Sequence, residues 1–115
     1  MEAVEFLLKN GADVNTSDNR GFTLLMFCVE LNNIDLLNTI LSYPVMLNKR
    51  DKKGFNALDY AIKSDNLDIV KLLIESGADI TDENYMHSIN TNTREITRYF
   101  DSFDINKQIF LKNGQ

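Results

Sequence analysis

Apolar residues recur along this chain at intervals of three and four, in short bursts separated by polar segments. Leu67, Val70, Leu73 and Ile74 form one such burst, the spacing with which a helix buries a single face. Gly77 then offers a left-handed stop at little steric cost. Ahead of this helix a shorter one is predicted. Asn56 can accept a free backbone N–H at its start, and it runs to about Ser64 before the turn-prone pair Asp65–Asn66. The polar stretch "DKKGF" precedes the cap, with Gly54 placed for a tight turn. The predicted unit is a tight loop, a short helix, a turn and a second helix.

That unit is repeated. Gly21 and Gly54 are 33 residues apart, as are Phe22 and Phe55, Asn15 and Asn48, Leu25 and Leu58, and Asp35 and Asp68. Gly11 and Gly77 stand two such steps apart, and "GFTLLMFCVELNNIDLLNTILSYP" lies over "GFNALDYAIKSDNLDIVKLLIESG" without a gap. Unrelated amphipathic helices would not keep glycines, aspartates and asparagines in register, so the period marks stacked units sharing a core. In the other copy Thr23 is the cap, and the first helix ends near Leu31.

One position breaks the pattern. Pro44, the only proline, stands where the neighbouring copies have Gly11 and Gly77. Its ring holds φ at about −65° and biases Tyr43 away from helical geometry. The helix before it is therefore expected to end at Ser42 or Tyr43 without a left-handed residue. Met46 replaces the aspartate found at 13 and 79, which should cost that loop one hydrogen bond.

The two ends depart further. Met1 aligns with Ile34 and Leu67, so the first copy holds only a second helix and its loop. Val4, Leu7 and Leu8 can pack on the next unit, while the other side lacks a matching helix. The alternatives are a short frayed helix shielded by its charged residues, a truncated chain, a misplaced start codon, or an end-on partner at the N-terminal helix. Beyond Ile80 the period fails, yet "DENYMHSINTNTREITRYFDSF" still reads as two helices. Asp82 is the expected cap of the first, which carries Tyr85, Met86 and Ile89. Thr93 is the expected cap of the second, with Ile96, Tyr99, Phe100 and Phe103 on one face and Arg94, Glu95, Arg98 and Asp101 on the polar one. Ile109 and Phe110 would add a final turn over the stack. Residues 1–81 are thus assigned to repeats and 82–115 to a degenerate capping repeat with a C-terminal helix. About three units are the usual minimum for a continuous core, so stability is expected at or below the lower part of the range of about 5–15 kcal/mol.

The stretches "DNRGFTLLMFC", "DKKGFNALDYA", "DNLDIVKLLIESGADI" and "EAVEFLLKNGADVN" resemble the signature of the ankyrin-repeat family. The resemblance covers residues 1–81 and implies an all-α solenoid, helix-turn-helix units joined by β-hairpin-like loops, here with a helical C-terminal cap. Leu24 and Ala57 stand at the family's proline, Met26 and Asp59 at its histidine, and Cys28 at a small-residue position that Ala61 keeps. Loss of the cap histidine's hydrogen bonds is the expected cost. The resemblance also implies partner contacts at the hairpin tips and the concave face of the first helices. These positions are Asn19, Arg20, Phe22, Met26, Glu30 and Leu31 in one repeat, and Lys52, Lys53, Phe55, Asp59, Lys63 and Ser64 in the next. Asn15 lies in a segment similar to those that asparaginyl hydroxylases modify; its alternative role is to tie the loop through its own side chain.

Composition narrows the chemistry. The chain has 115 residues, 43% hydrophobic and 25% charged, the size and make-up of one globular domain. A net charge of −5 argues against general nucleic-acid binding. One cysteine and one histidine leave no internal disulfide and little for a metal. No apolar run approaches a membrane span of about 20 residues, so a cytoplasmic protein without cofactors is expected. Cys28 reads as a packed thiol, His87 as a surface or cap histidine, and Asp35 and Asp68 as charges favoured at helix N-termini. No catalytic constellation emerges, and a non-enzymatic protein-binding module is the expected function. More specific alternatives are a bacterial immunity or inhibitor protein that blocks a basic toxin, or a viral or bacterial effector engaging host proteins. Lys49, Arg50, Lys52 and Lys53 form a basic tip in an acidic chain, either simply solvated or a docking point for an acidic patch. A basic protein meeting the acidic surface is the other option. Phe22 and Phe55 are either anchors for a partner or struts beneath their own hairpins.

Overall fold

The computed structural model describes residues 2–103; Met1 and residues 104–115, with the expected capping pair Ile109 and Phe110, lie outside the described part. It contains α1 (Glu2–Lys9), α2 (Leu24–Glu30), α3 (Ile34–Leu41), α4 (Ala57–Lys63), α5 (Leu67–Glu75), α6 (Asp82–Asn90) and α7 (Arg94–Asp101), and no β-strand among the described residues. The helices α2, α4 and α6 pack side by side as one row, and α3, α5 and α7 each fold back on the helix before them. The core runs between the rows. Leu25, Val29, Leu36, Leu37, Ile40, Leu58, Ile62, Ile69, Leu73, Ile96 and Phe100 are all at most 1% exposed. Burial of each such side chain contributes about 1.5–3 kcal/mol.

Local chemistry sets where each helix begins and ends. The side chains of Thr23 and Asn56 accept the N–H groups of Met26 and Asp59 at 3.2 and 3.0 Å, and Asn33 and Asn66 cap α3 and α5 in the same way. Between the paired helices the chain turns through a left-handed residue, Asn32, Asp65 or Asn92, with φ of 54°, 53° and 59°. Asparagine and aspartate adopt this region more readily than other side-chain-bearing residues. The third of these lies in the terminal pair, so α6 and α7 are joined by the same turn as the regular repeats. As Pro44 requires, α3 ends at Leu41 with Ser42 as a right-handed cap (φ −78°), and Tyr43 donates its N–H to the Ile40 carbonyl at 3.0 Å.

The loops are tied forward to the next unit. Asn15 donates to the Pro44 carbonyl at 3.2 Å and accepts the Met46 N–H at 2.6 Å. One period later Asn48 accepts the Asp79 N–H at 2.9 Å and donates to the Asp79 carboxylate at 3.1 Å. These asparagines therefore bridge successive loops. Asp13 holds the Asn15 N–H at 2.8 Å; Met46 has no side chain that could do so for Asn48.

The terminal pair departs from its expected details. Thr81, not Asp82, caps α6, accepting the Asn84 N–H at 3.1 Å while Asn84 accepts the Thr81 N–H at 2.9 Å. The buried face of α6 is Asn84, Tyr85 and Ser88, whereas Met86 and Ile89 are 51% and 47% exposed. Thr93 precedes α7 but makes no side-chain cap; its hydroxyl donates instead to the Ser88 carbonyl at 3.0 Å. Hydrogen bonds join the pair where apolar packing was expected: Thr97 donates to the Ser88 hydroxyl at 2.8 Å, and Tyr85 to Asp101 at 2.8 Å.

Gly21 has φ +73°, and a Cβ there would stand 3.2 Å from the Asp51 Cα and 3.3 Å from the Lys52 nitrogen. The same close approach lets Lys52 donate its N–H to the Arg20 carbonyl at 2.9 Å, locking one hairpin tip to the next. Gly54 has φ +87° but nothing within 4 Å of that position. Gly54→Ala should therefore cost about 1–2 kcal/mol of stability, the strain of a left-handed side-chain-bearing residue. Gly21→Ala should cost measurably more in urea unfolding, because the tips must also separate.

Candidate functional site

Both tips are built around an aspartate. Asp51 accepts the N–H groups of Lys53 and Phe55 at 2.9 and 3.0 Å, and Asp18 accepts those of Arg20 and Phe22 at 2.8 and 3.0 Å. The second carboxylate oxygen distinguishes them. Asp18 is exposed and takes the Arg20 guanidinium at 2.8 Å, which holds its carboxyl below the usual range. Asp51 is buried and accepts the Tyr60 hydroxyl. Burial pushes the Asp51 carboxyl up, but the Tyr60 hydroxyl and the N–H groups of Phe55 and Lys53 more than offset it, leaving its pKa below the ordinary value. Burial and the Asp51 carboxylate push the Tyr60 phenol well up.

Tyr60 also organises the aromatic side chains. Phe22 and Phe55 meet its ring edge-on, with centroids 5.4 and 5.8 Å away, and Phe55 meets His87 at 5.5 Å. Arg20 stacks over Phe22 at 5.0 Å, and the Lys63 ammonium lies 5.1 Å from the Phe55 ring and 5.4 Å from that of Tyr60. Between the tips this leaves a cleft of about 440 Å³. Asn19, Arg20, Phe22, Glu30, Lys52, Lys53 and Lys63, all among the sequence-derived contact positions, line it together with Asp51 and Tyr60. Phe55 is half-buried at its edge. Leu31 and Ser64 are exposed at the C-caps of α2 and α4, outside the lining.

Two expected contact positions are not available to a partner. Met26 is 0% and Asp59 1% exposed. Each turns inward to cap its own helix: the Met26 sulfur accepts the Thr23 N–H at 3.4 Å, and Asp59 accepts the Asn56 N–H at 3.1 Å. The hydrogen bonds expected to vanish with the family's histidine are thus supplied by other groups. Asp59 reaches further, accepting from Asn84 at 2.6 Å, while His87 Nδ1 lies 2.7 Å from the same oxygen. Asn84 also donates to Asn56 at 3.3 Å. A buried polar chain therefore couples α4 to α6, and among the described residues no buried side-chain nitrogen or oxygen lacks a partner.

Tyr60, Asp51 and His87 were not singled out as contact positions from the sequence. The available signal was Asp51 nine residues before Tyr60, against Asp18 nine before Phe27: only the tyrosine carries a hydroxyl, so only Asp51 gains a donor from the helix. Cys28 is fully buried, and burial pushes its thiol up to about 11, far from the thiolate a nucleophile needs. Among the described residues no cluster of His, Cys, Asp and Glu could hold a metal, and no helix is long and apolar enough to cross a membrane.

The family model for ankyrin repeats, in three copies, matches residues 1–84, and the chain belongs to the ankyrin-repeat family. Its members are in general protein–protein interaction modules and are typically non-enzymatic. A search of curated proteins found no match to the chain.

Tyr60→Phe keeps the ring and removes the donor to Asp51, and should cost about 1–3 kcal/mol. A lowered carboxylate pKa contributes stability above the ordinary value that is lost as pH falls through the folded value. In the variant that contribution shrinks, so acid unfolding followed by circular dichroism should begin at higher pH. Asn84→Ala leaves Asp59 short of a donor and the Thr81 N–H without its acceptor, and should cost about 1–3 kcal/mol. Amide exchange should show the loss of protection concentrated in α6 and α7. His87→Ala should cost less, since the half-exposed histidine can be replaced by water.

Proposed function

We propose that this protein is a non-enzymatic interaction module that binds another protein through its two hairpin tips and the face of the first helices between them. The observation that carries this reading is the convergence of seven sequence-derived contact positions on one cleft, floored by Tyr60 and fixed by the backbone bond between Lys52 and Arg20. Aromatic and arginine side chains dominate interface energetics, and here Phe22, Tyr60 and Arg20 are held in place before any partner arrives. Pre-formed surfaces lose little conformational freedom on binding. The inhibitor and effector readings place this same surface in different settings.

A photo-reactive amino acid at position 52 or 63 should give covalent adducts with a partner in extracts of the native organism, mapped to one protein by mass spectrometry. The same group at position 68, exposed at the start of α5 in the other row, should give none. Equal capture at all three positions, or recovery of nucleic acid alone, would refute the reading.

A further inference from the structure

We propose that the cleft between the tips is a seat for an acidic polypeptide segment, one that sets carboxylates against Lys52, Lys53 and Lys63 and an apolar side chain against the half-buried Phe55 ring at its edge. This deepens the interaction reading above and rests on it.

The charge distribution is the first support. The chain carries −5 overall and only 12 lysines and arginines, yet four of them, Arg20, Lys52, Lys53 and Lys63, line one cleft. Among the described residues Lys52, Lys53 and Lys63 form no ion pair, whereas Arg20 pairs with Asp18 and Arg50 with Glu83. Two carboxylates also line the cleft, and they are not equivalent. Asp51 is buried, its carboxylate engaged by the Tyr60 hydroxyl and two backbone N–H groups. Glu30 remains, at the end of α2.

The second support is what the cations rest on. Lys63 lies over the Phe55 and Tyr60 rings and Arg20 over Phe22. A cation–π contact at an exposed site is weaker than a charge-assisted hydrogen bond to a carboxylate. An incoming carboxylate can therefore draw the Lys63 ammonium group away, leaving the half-buried Phe55 ring open to an apolar neighbour. Arg20 retains its bond to Asp18, and its remaining donors stay available.

The geometry favours a polypeptide over a nucleic acid. A phosphodiester chain carries a charge at every unit and needs a continuous basic track. Here the positive wall is interrupted by Glu30, and among the described residues no third tip extends it, because α5 connects to α6 through only Ser76–Thr81. A mixed segment can place its acidic groups opposite the lysines and neutral groups opposite Glu30.

The test is an NMR titration of the ¹⁵N-labelled full chain with three probes. These are a short peptide of interspersed glutamate and leucine, the same peptide with lysine for glutamate, and a single-stranded oligothymidylate of matching length. The acidic peptide should shift the amides of Arg20, Lys52, Lys53 and Lys63, with affinity falling as salt is raised. The double variant Lys52→Glu/Lys53→Glu, checked for a dispersed spectrum, should weaken it by about tenfold or more. Arg94→Glu/Arg98→Glu reverses a basic pair lining a separate cavity and should leave it unchanged. Absence of shifts at the cleft, an equal or stronger response to the lysine peptide or oligothymidylate, or indifference to charge reversal at 52 and 53 would overturn the proposal. If cross-linking maps a partner to the cleft through a basic or neutral segment, the acidic-segment inference fails and the interaction reading stands. If nothing cross-links there, the interaction reading itself fails.

Discussion

A helix of seven to nine residues is nearly all ends. Four N–H groups at its start and four carbonyls at its finish have no partner within the helix, so in α2 and α4, with seven residues each, the unpaired groups outnumber those satisfied inside. Every unit of this stack must therefore find hydrogen-bond partners in side chains, turns and neighbouring units. Thr23, Asn33, Asn56, Asn66 and Thr81 satisfy helix starts, and Asn15 and Asn48 satisfy backbone groups of the following loop. Apolar burial supplies the driving force between the rows, but these bonds determine where each helix stops and how each unit sits on the next.

Much of this was legible in the sequence, because repeated chemistry appears as repeated letters. The 33-residue period exposed the caps Thr23 and Asn56, the turn-prone pairs between helices and the recurring loop asparagines together, and the rigid ring of Pro44 was enough to place the end of α3. The failures share one cause. Apolar periodicity locates buried apolar groups and is blind to buried polar ones, whose burial depends on partners elsewhere. Asn84 is inside because Asp59 and Asn56 lie 25 and 28 residues earlier, separations that fall outside the period. For the same reason Met86 and Ile89 looked like the inner face of α6, and Asp59 like a surface carboxylate.

The candidate surface grows out of this structural chemistry. The bond that docks the tips also closes the cleft, and the aspartate that folds the second tip is held by the tyrosine that floors it. Stability and recognition therefore share residues here. Substitutions at Tyr60 or Asp51 would alter both, while Lys52, Lys53 and Lys63 project from the same frame without supporting it. Surface variation can thus change the partner with little cost to the stack, the division of labour that lets one scaffold present many surfaces.

The short connection between α5 and α6 has a consequence for valence. Longer arrays of tips can hold a partner at several places at once, and each added contact then acts at high effective concentration. With the third tip missing, the described part of this chain offers one inter-tip cleft. A ligand cannot slide to an equivalent neighbouring position, nor compensate a poor fit with a second grip. Among the described residues, affinity at this surface therefore rests on the quality of a single seat.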